Sequence, residues 1–254
     1  MSLLVASHLC KGFGGLTALS DVDIRVERGE IFGLIGPNGA GKTCLFNCLT
    51  GLYIPDRGQV ELDAQDLTGL APHQVLRAGL ARTFQNIRLF GNLSALDNVM
   101  AGRHCRTRTG VIGAVLRTAA ARREEAESAE FARQLLKRVG IQRHSQVLAK
   151  NLSYGDQRRL EIARALASGP KLLALDEPAA GMNPSERNIL RELMESLRAD
   201  GLTLLLIEHD VKLVMGVCDR MMVLDHGEKI AEGRPDEVRR DPKVIAAYLG
   251  AEAA

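Results

Sequence analysis

The sequence predicts an α/β fold with a helical insertion, and three observations carry that prediction. The apolar run Ile31-Phe32-Gly33-Leu34-Ile35 leads into Gly36-Pro37-Asn38-Gly39-Ala40-Gly41-Lys42-Thr43 and then into Cys44-Leu45-Phe46-Asn47-Cys48-Leu49, a strand turning through a glycine-rich loop into a helix. Two further strand-like runs, Lys171 to Leu175 and Leu202 to Ile207, flank an amphipathic helical stretch from Ser185 to Leu197 that closes at Asp200-Gly201. From about Asn86 to Lys150 the strand signals give way to Ala, Arg and Glu, as expected of a helical insertion.

In chain order, Leu3 to Leu9 and Val22 to Val26 have strand composition, punctuated by Gly14-Gly15 and Arg28-Gly29, and so predict a small sheet ahead of the loop. Phe13 either packs in a core or offers its ring to a base. In the loop, glycines at 36, 39 and 41 let successive N–H groups wrap a phosphate at a helix N-terminus. Lys42 adds a mobile positive charge and Thr43 a hydroxyl for Mg²⁺, a combination that points to a nucleoside triphosphate rather than to any anion. Pro55-Asp56-Arg57-Gly58 is a turn before the strand-like Gln59 to Leu62, and Pro72 opens a helix. Gln85 ends a short apolar segment, where it either reaches a metal ion or water or simply caps the strand.

Within the insertion, Phe131, Leu135 and Val139 recur at helical spacing, while Arg103, Arg106, Arg108 and Arg117 add positive charge without the interleaved aromatics of a nucleic-acid surface. Ser153, with Asp156 three residues on, reads as the N-cap of a helix running through Leu160, Ile162 and Leu166. The same serine hydroxyl, with the Gly155 N–H, suits a phosphate equally well. The run to Leu175 ends in Asp176-Glu177; beside a phosphate loop, Asp176 can hold Mg²⁺ together with Thr43, and Glu177 can polarise an attacking water. His209 follows the next strand, at the end where open α/β sheets keep their ligands. Met221 to Ile230 reads as a hairpin, and Pro235 to Leu249 as short helices.

The whole composition fits one large domain or a domain with an inserted lobe: 254 residues, 46% hydrophobic. A net charge of +2 is too small to argue by itself for a nucleic-acid partner, and none is expected. The N-terminus lacks a secretory signal and no apolar run approaches a membrane span, so a cytoplasmic chain attached to any membrane through another subunit is expected. Cys10, Cys44, Cys48, Cys105 and Cys218 are scattered, which predicts free thiols with neither disulfide nor zinc.

The order of the phosphate loop, Gln85, Leu152-Ser153-Tyr154-Gly155-Asp156-Gln157, Asp176-Glu177 and His209 resembles the motif set of ABC-transporter ATPases over essentially the whole chain. That resemblance implies a P-loop NTPase core with an N-terminal antiparallel β-subdomain and an inserted helical subdomain. As a single cassette, 1–254, it would have its core and C-terminal helices in 1–85 and 165–254, and the helical subdomain with the signature segment in 86–164. It further implies ATP and Mg²⁺ as cofactors, with Phe13 on the adenine, Gly36 through Cys44 around the phosphates, and Thr43, Gln85 and Asp176 around the metal. Glu177, His209, Lys42 and Gln85 would serve catalysis, and Ser153 and Gly155 would meet the ATP of a partner subunit.

Gly14-Gly15-Leu16, the stretch Ala81 to Phe90, Ala179 to Pro184 and Ala247-Tyr248-Leu249-Gly250 are similar to the ATP-binding subunits of branched-chain amino acid importers. Such a subunit pairs with an identical or second ATPase on the cytoplasmic face of the membrane, under two permeases served by a periplasmic binding protein. Urea, amide and aromatic-acid importers resemble the same subgroup. A nucleic-acid-associated ABC ATPase is disfavoured by the single cassette and modest insertion, a module without useful hydrolysis by Glu177 and His209, and a GTPase by the lack of Asn-Lys-x-Asp. Tyr154, Asn183 and Cys44 depart from the general family pattern. Cys44, in a helix's first turn beside Lys42, is expected to have a lowered thiol pKa.

Overall fold

The computed structural model describes residues 1–107, 109 and 116–251, the side chains of 249–251 excepted, so that Arg108 and the side chain of Leu249 lie outside what is described. The chain divides into two compact units, one comprising Met1–Arg82, Lys171–Ala179 and Arg191–Ala254, the other Thr83–Pro170 and Ala180–Leu190.

Among the described residues, ten strands form two sheets, both in the first unit. β1 (Ser2–Phe13) and β2 (Leu16–Glu27) are a long antiparallel hairpin turning at Gly14-Gly15, joined by β4 (Arg57–Leu62) and β5 (Gln65–Asp66) in the order β2-β1-β4-β5. The hairpin runs beyond the predicted apolar stretches because its outward positions, such as His8, Lys11, Asp21 and Asp23, are polar. Leu3, Leu4, Ala6, Leu9, Leu19, Val22, Ile24 and Val26 are the buried ones.

The second sheet has the order β10-β9-β3-β8-β7-β6, with β3 (Ile31–Ile35), β6 (Leu80–Arg82), β7 (Leu172–Asp176), β8 (Thr203–Ile207) and β9 (Arg220–Asp225) parallel and β10 (Glu228–Gly233) antiparallel at the edge. All residues of β3, β7 and β8 are buried, which is why these strands are continuous apolar runs in the sequence. The β9–β10 hairpin turns at His226-Gly227, both at positive φ (45° and 81°), the twist-matched turn for two-residue hairpins.

Helix α1 (Lys42–Leu49) contributes Leu45, Phe46 and Leu49 to one core shared with Leu4, Leu9 and Ile24 of the small sheet and Phe32, Leu34, Leu205 and Met222 of the large one. The loop that precedes α1 is thereby anchored on two sheets. Burying the Phe46 and Leu45 side chains contributes roughly 2 kcal/mol each. α2 (Pro72–Ala78) follows Pro72 as predicted.

In the second unit, α3 (Ala95–Arg103), α4 (Ala119–Arg138) and α5 (Tyr154–Leu166) pack together. The buried stripe of α4 is Ser128, Ala132 and Leu136, with Val139 just past its end, while Phe131 and Leu135 lie half-buried beside it. The two small residues carry no hydrophobic signal, which places the closest-packed face one position off the predicted one. The Phe131 ring is covered by the Arg103 guanidinium, 4.2 Å from its centroid. α6 (Pro184–Ala199) ends at Gly201 (φ 87°), and α7 (Val211–Val217), α8 (Pro235–Val238) and α9 (Pro242–Ala251) complete the chain.

Candidate functional site

Strand register assembles the first half of the site. Leu34 pairs with Ile207, and Ile207 with Asp176, so the C-terminal ends of β3, β8 and β7 lie on one sheet edge. Gly36 to Thr43 leave β3, Glu177 follows β7, and Glu208-His209 follow β8 at that edge, the crevice where parallel sheets hold ligands.

The loop's backbone requires its glycines. At Gly36 (φ 152°) a Cβ would run into the Leu224 carbonyl oxygen, and at Gly41 (φ 96°) it would lie 2.6 Å from the Ala18 carbonyl oxygen. Gly39 (φ 79°) has open space around it, as do the exposed Asn38 and Thr43. Ala40 is buried, and its carbonyl accepts the N–H of Gly227 at 3.1 Å, so the β9–β10 turn braces the loop; Pro37 is half-buried.

α1 begins after Gly41 with no side-chain cap and no acidic residue in its first turn, an N-terminus left to an outside anion. The Lys42 ammonium is buried and donates to the Gly36 and Pro37 carbonyls at 2.7 and 2.8 Å. Burial lowers its pKa, with the charge of Glu177 opposing.

Glu177 holds a left-handed backbone (φ 44°), fixed by its N–H donating to Ile207 O at 2.9 Å. Its Oε2 lies 3.6 Å from Nδ1 of the exposed His209. Near that same Nδ1, 3.9 Å away, is Oε2 of Glu208, a fully buried carboxyl whose Oε1 accepts the Ala179 N–H at 2.9 Å. Burial pushes the Glu208 pKa up, because the charged form is desolvated.

Phe13 is half-exposed and meets Tyr53 edge-on, ring centroids 5.3 Å apart, with the Lys11 ammonium 5.5 Å over its ring. This is an accessible aromatic pair rather than core, beside the exposed Leu52 and Ile54. Cys44 does have a lowered thiol pKa, but from another source than Lys42: the Cys48 thiol one turn on hydrogen-bonds it, burial opposes, and Lys11 assists. Cys48 is pushed up correspondingly.

The other sequence-predicted residues belong to the second unit. Ser153 caps α5, its Oγ accepting the Asp156 N–H at 3.2 Å, and is exposed. Gly155 is buried, and a Cβ there would collide with the Glu186 carboxylate. Tyr154 packs against Gly181, and its hydroxyl accepts from Arg158 Nη2 at 3.2 Å. The same guanidinium donates to the carbonyls of Phe84 (2.7 Å) and Gln85 and pairs with the buried Glu161 at 3.2 Å. Arg158 therefore ties the exposed Gln85 to the first turn of α5, a network that spacing alone does not reveal. Asn183 and Glu186 exchange side-chain and backbone hydrogen bonds, each 2.9 Å, as a capping box on α6.

Hard oxygen donors suit magnesium. The exposed Thr43 hydroxyl and the Asp176 carboxylate fit an ion that keeps few protein ligands and takes the rest from phosphate and water. Among the described residues no cluster of three or more His, Cys, Asp or Glu is arranged to cage a metal alone, and no helix is long and apolar enough to cross a membrane.

Residues 19–180 match the family described as ABC transporter, and residues 228–254 the family described as Branched-chain amino acid ATP-binding cassette transporter. The high-affinity branched-chain amino acid transport ATP-binding protein LivG of Salmonella typhimurium is 47% identical over 98% of each chain. BraF of Pseudomonas aeruginosa, of the same description, is 45% identical over the same shares. Among solved structures, the ADP conformation of MJ1267, an ATP-binding cassette of an ABC transporter, superposes with a TM-score of 0.86 at 33% identity, covering 98% of this chain and 99% of that one.

Proposed function

The chain belongs to the ABC transporter family, and from that premise we propose that it is the ATP-binding and ATP-hydrolysing subunit of an importer for branched-chain amino acids. The observation that carries this reading is the meeting of the phosphate loop, Asp176-Glu177 and His209 on one sheet edge. Binding, a metal-ligand carboxylate and a water-activating carboxylate are there available to one triphosphate.

The loop amides from Gly36 to Gly41, with Pro37, Asn38, Gly39 and Ala40 between them, would cradle the phosphates, and Lys42 would leave its carbonyl partners for phosphate oxygens. Cys44 would line the same helix end, and Phe13, backed by Tyr53, would stack on adenine. Thr43 and Asp176 would hold Mg²⁺, which when bound neutralises phosphate charge. Glu177 would orient and polarise the water that attacks the γ-phosphorus in line as ADP leaves, and His209 would hydrogen-bond the γ-phosphate. Ser153 and Gly155 would serve the ATP of a partner subunit. The division into core (1–85, 165–254) and helical subdomain (86–164) would separate the chemistry from the coupling surface.

The partners in this reading are an identical or second ABC ATPase, two permeases and, indirectly, a periplasmic binding protein, with the chain on the cytoplasmic face of the membrane. The names of the LivG and BraF relatives and the match of residues 228–254 favour branched-chain amino acids over urea, amides or aromatic acids.

Glu177→Gln tests the catalytic core of the proposal. It should bind ATP like the wild type while turnover falls about 10²–10³-fold, the usual loss for one charge-handling group. Undiminished turnover in a phosphate-release assay would take the role away from Glu177, and failure of the chain assembled with its permeases to drive leucine uptake into vesicles would remove the importer assignment.

A further inference from the structure

We infer that Arg82 is a positioning residue for the metal-nucleotide site, setting the spacing between the two elements that carry its oxygen donors. It is the last residue of β6, next to β7 in the sheet. Its guanidinium is nearly buried and does three things at once. Nη1 donates to Asn47 Oδ1 at 2.9 Å and to Thr50 Oγ1 at 2.8 Å, both at the end of α1. Nη2 lies 3.5 Å from Oδ2 of Asp176, at the end of β7. Its plane covers the Phe46 ring of α1, with Cζ 4.4 Å from the centroid.

The partners are themselves buried: Asn47 is 8%, Thr50 3% and Asp176 5% exposed, and the Thr50 hydroxyl donates onward to the Phe46 carbonyl at 2.7 Å. A buried carboxylate is tolerated where a cation and hydrogen bonds face it, and only a planar fork can reach two α1 oxygens and that carboxylate together. α1 carries Thr43 at its other end. One side chain thus ties the helix of the hydroxyl donor to the strand of the carboxylate donor. Magnesium accepts little deviation from octahedral geometry, so fixing this spacing is a direct lever on how well it binds.

The inference rests on the proposed seat of the metal at Thr43 and Asp176, and its test separates the two. Binding of ATP to the purified chain is measured by calorimetry with excess Mg²⁺ and with EDTA, and the ratio of the two affinities is the readout. In Arg82→Met, which keeps a long apolar stem over Phe46, the Mg²⁺ advantage should fall about tenfold, the low end for loss of a group that holds a metal ligand. Metal-free ATP binding should change by less than about twofold, since no phosphate contact is lost. Arg82→Lys keeps the charge but not the fork and should recover only part of the ratio. The pair Asn47→Ala and Thr50→Val, which leaves the Asp176 pair in place, should lower it by about threefold and supplies the answer should Arg82→Met not fold. An unchanged or increased Mg²⁺ advantage in these variants, or equal losses with and without Mg²⁺, overturns the positioning role. No Mg²⁺ advantage in the wild type overturns the metal seat itself.

Discussion

The N-termini of α1 and α5 handle the same unsatisfied N–H groups in opposite ways. α1 starts at Gly41 with no side-chain cap, no acidic residue in its first turn and the Lys42 ammonium at its mouth. α5 starts at Ser153, whose hydroxyl accepts an amide of the first turn, and carries Asp156 held by Arg159, with His144 Nδ1 3.2 Å away. The first end is open to an anion and brings its own positive charge. The second is largely self-satisfied and offers a hydroxyl and a glycine amide but a carboxylate close by. This difference is why the loop of α1 can serve as a complete phosphate cradle, whereas the start of α5 is suited to a supporting role.

The largest disturbance of that contrast is expected from Gly36→Ala, which puts a Cβ against the Leu224 carbonyl at a backbone angle alanine avoids. Thermal melts should show a loss of about 2–3 kcal/mol, and calorimetry a fall in ATP affinity of tenfold or more, on the order of 1.4 kcal/mol. Wild-type affinity would mean that the loop tolerates remodelling. Ser153→Ala should cost α5 about 1 kcal/mol as a lost cap. It should leave ATP binding by the isolated chain untouched while lowering turnover under conditions that favour assembly. If monomer binding falls as well, the two ends are less distinct than described.

The smallest effect sharpens the electrostatic side of the comparison. Asp156 is paired with the Arg159 guanidinium, whereas Glu208 is buried with a pKa raised by desolvation. The folded protein therefore keeps the Glu208 proton to higher pH than the unfolded chain, so between the two pKa values the native state binds more protons. Its contribution to stability then declines as pH rises above the unfolded value. Glu208→Gln should be neutral near pH 4 and gain a few degrees in melting temperature toward pH 8. A gain independent of pH would point to packing instead.

Most of this site could be read from the residues because its chemistry is local. Gly36 to Thr43 announces its own strand-loop-helix context, and the all-buried β7 and β8 are apolar runs that stop at Asp176 and Ile207. What stayed hidden was pairing at a distance. Arg82 reaches Asp176 and Asn47 only because β6 lies next to β7 and α1 packs across the sheet, an order no spacing encodes. Tyr53 beside Phe13, Glu177 beside His209 and the Ser128–Ala132 stripe of α4 are likewise products of tertiary packing. Cys44 shows the same limit, since its sequence neighbour Lys42 is turned toward the loop carbonyls and the perturbing group is Cys48.

The backbone at Glu177 has an evolutionary and engineering consequence. A left-handed glutamate costs on the order of 1 kcal/mol that glycine or asparagine would not incur. Selection for robustness alone would thus push this position toward residues that make a sturdier protein, one that the proposed role of Glu177 makes idle. On the proposed role of Glu177, a search for thermostable variants that does not also score turnover will be drawn to 177, and the carboxylate would persist there only as long as work is demanded of it.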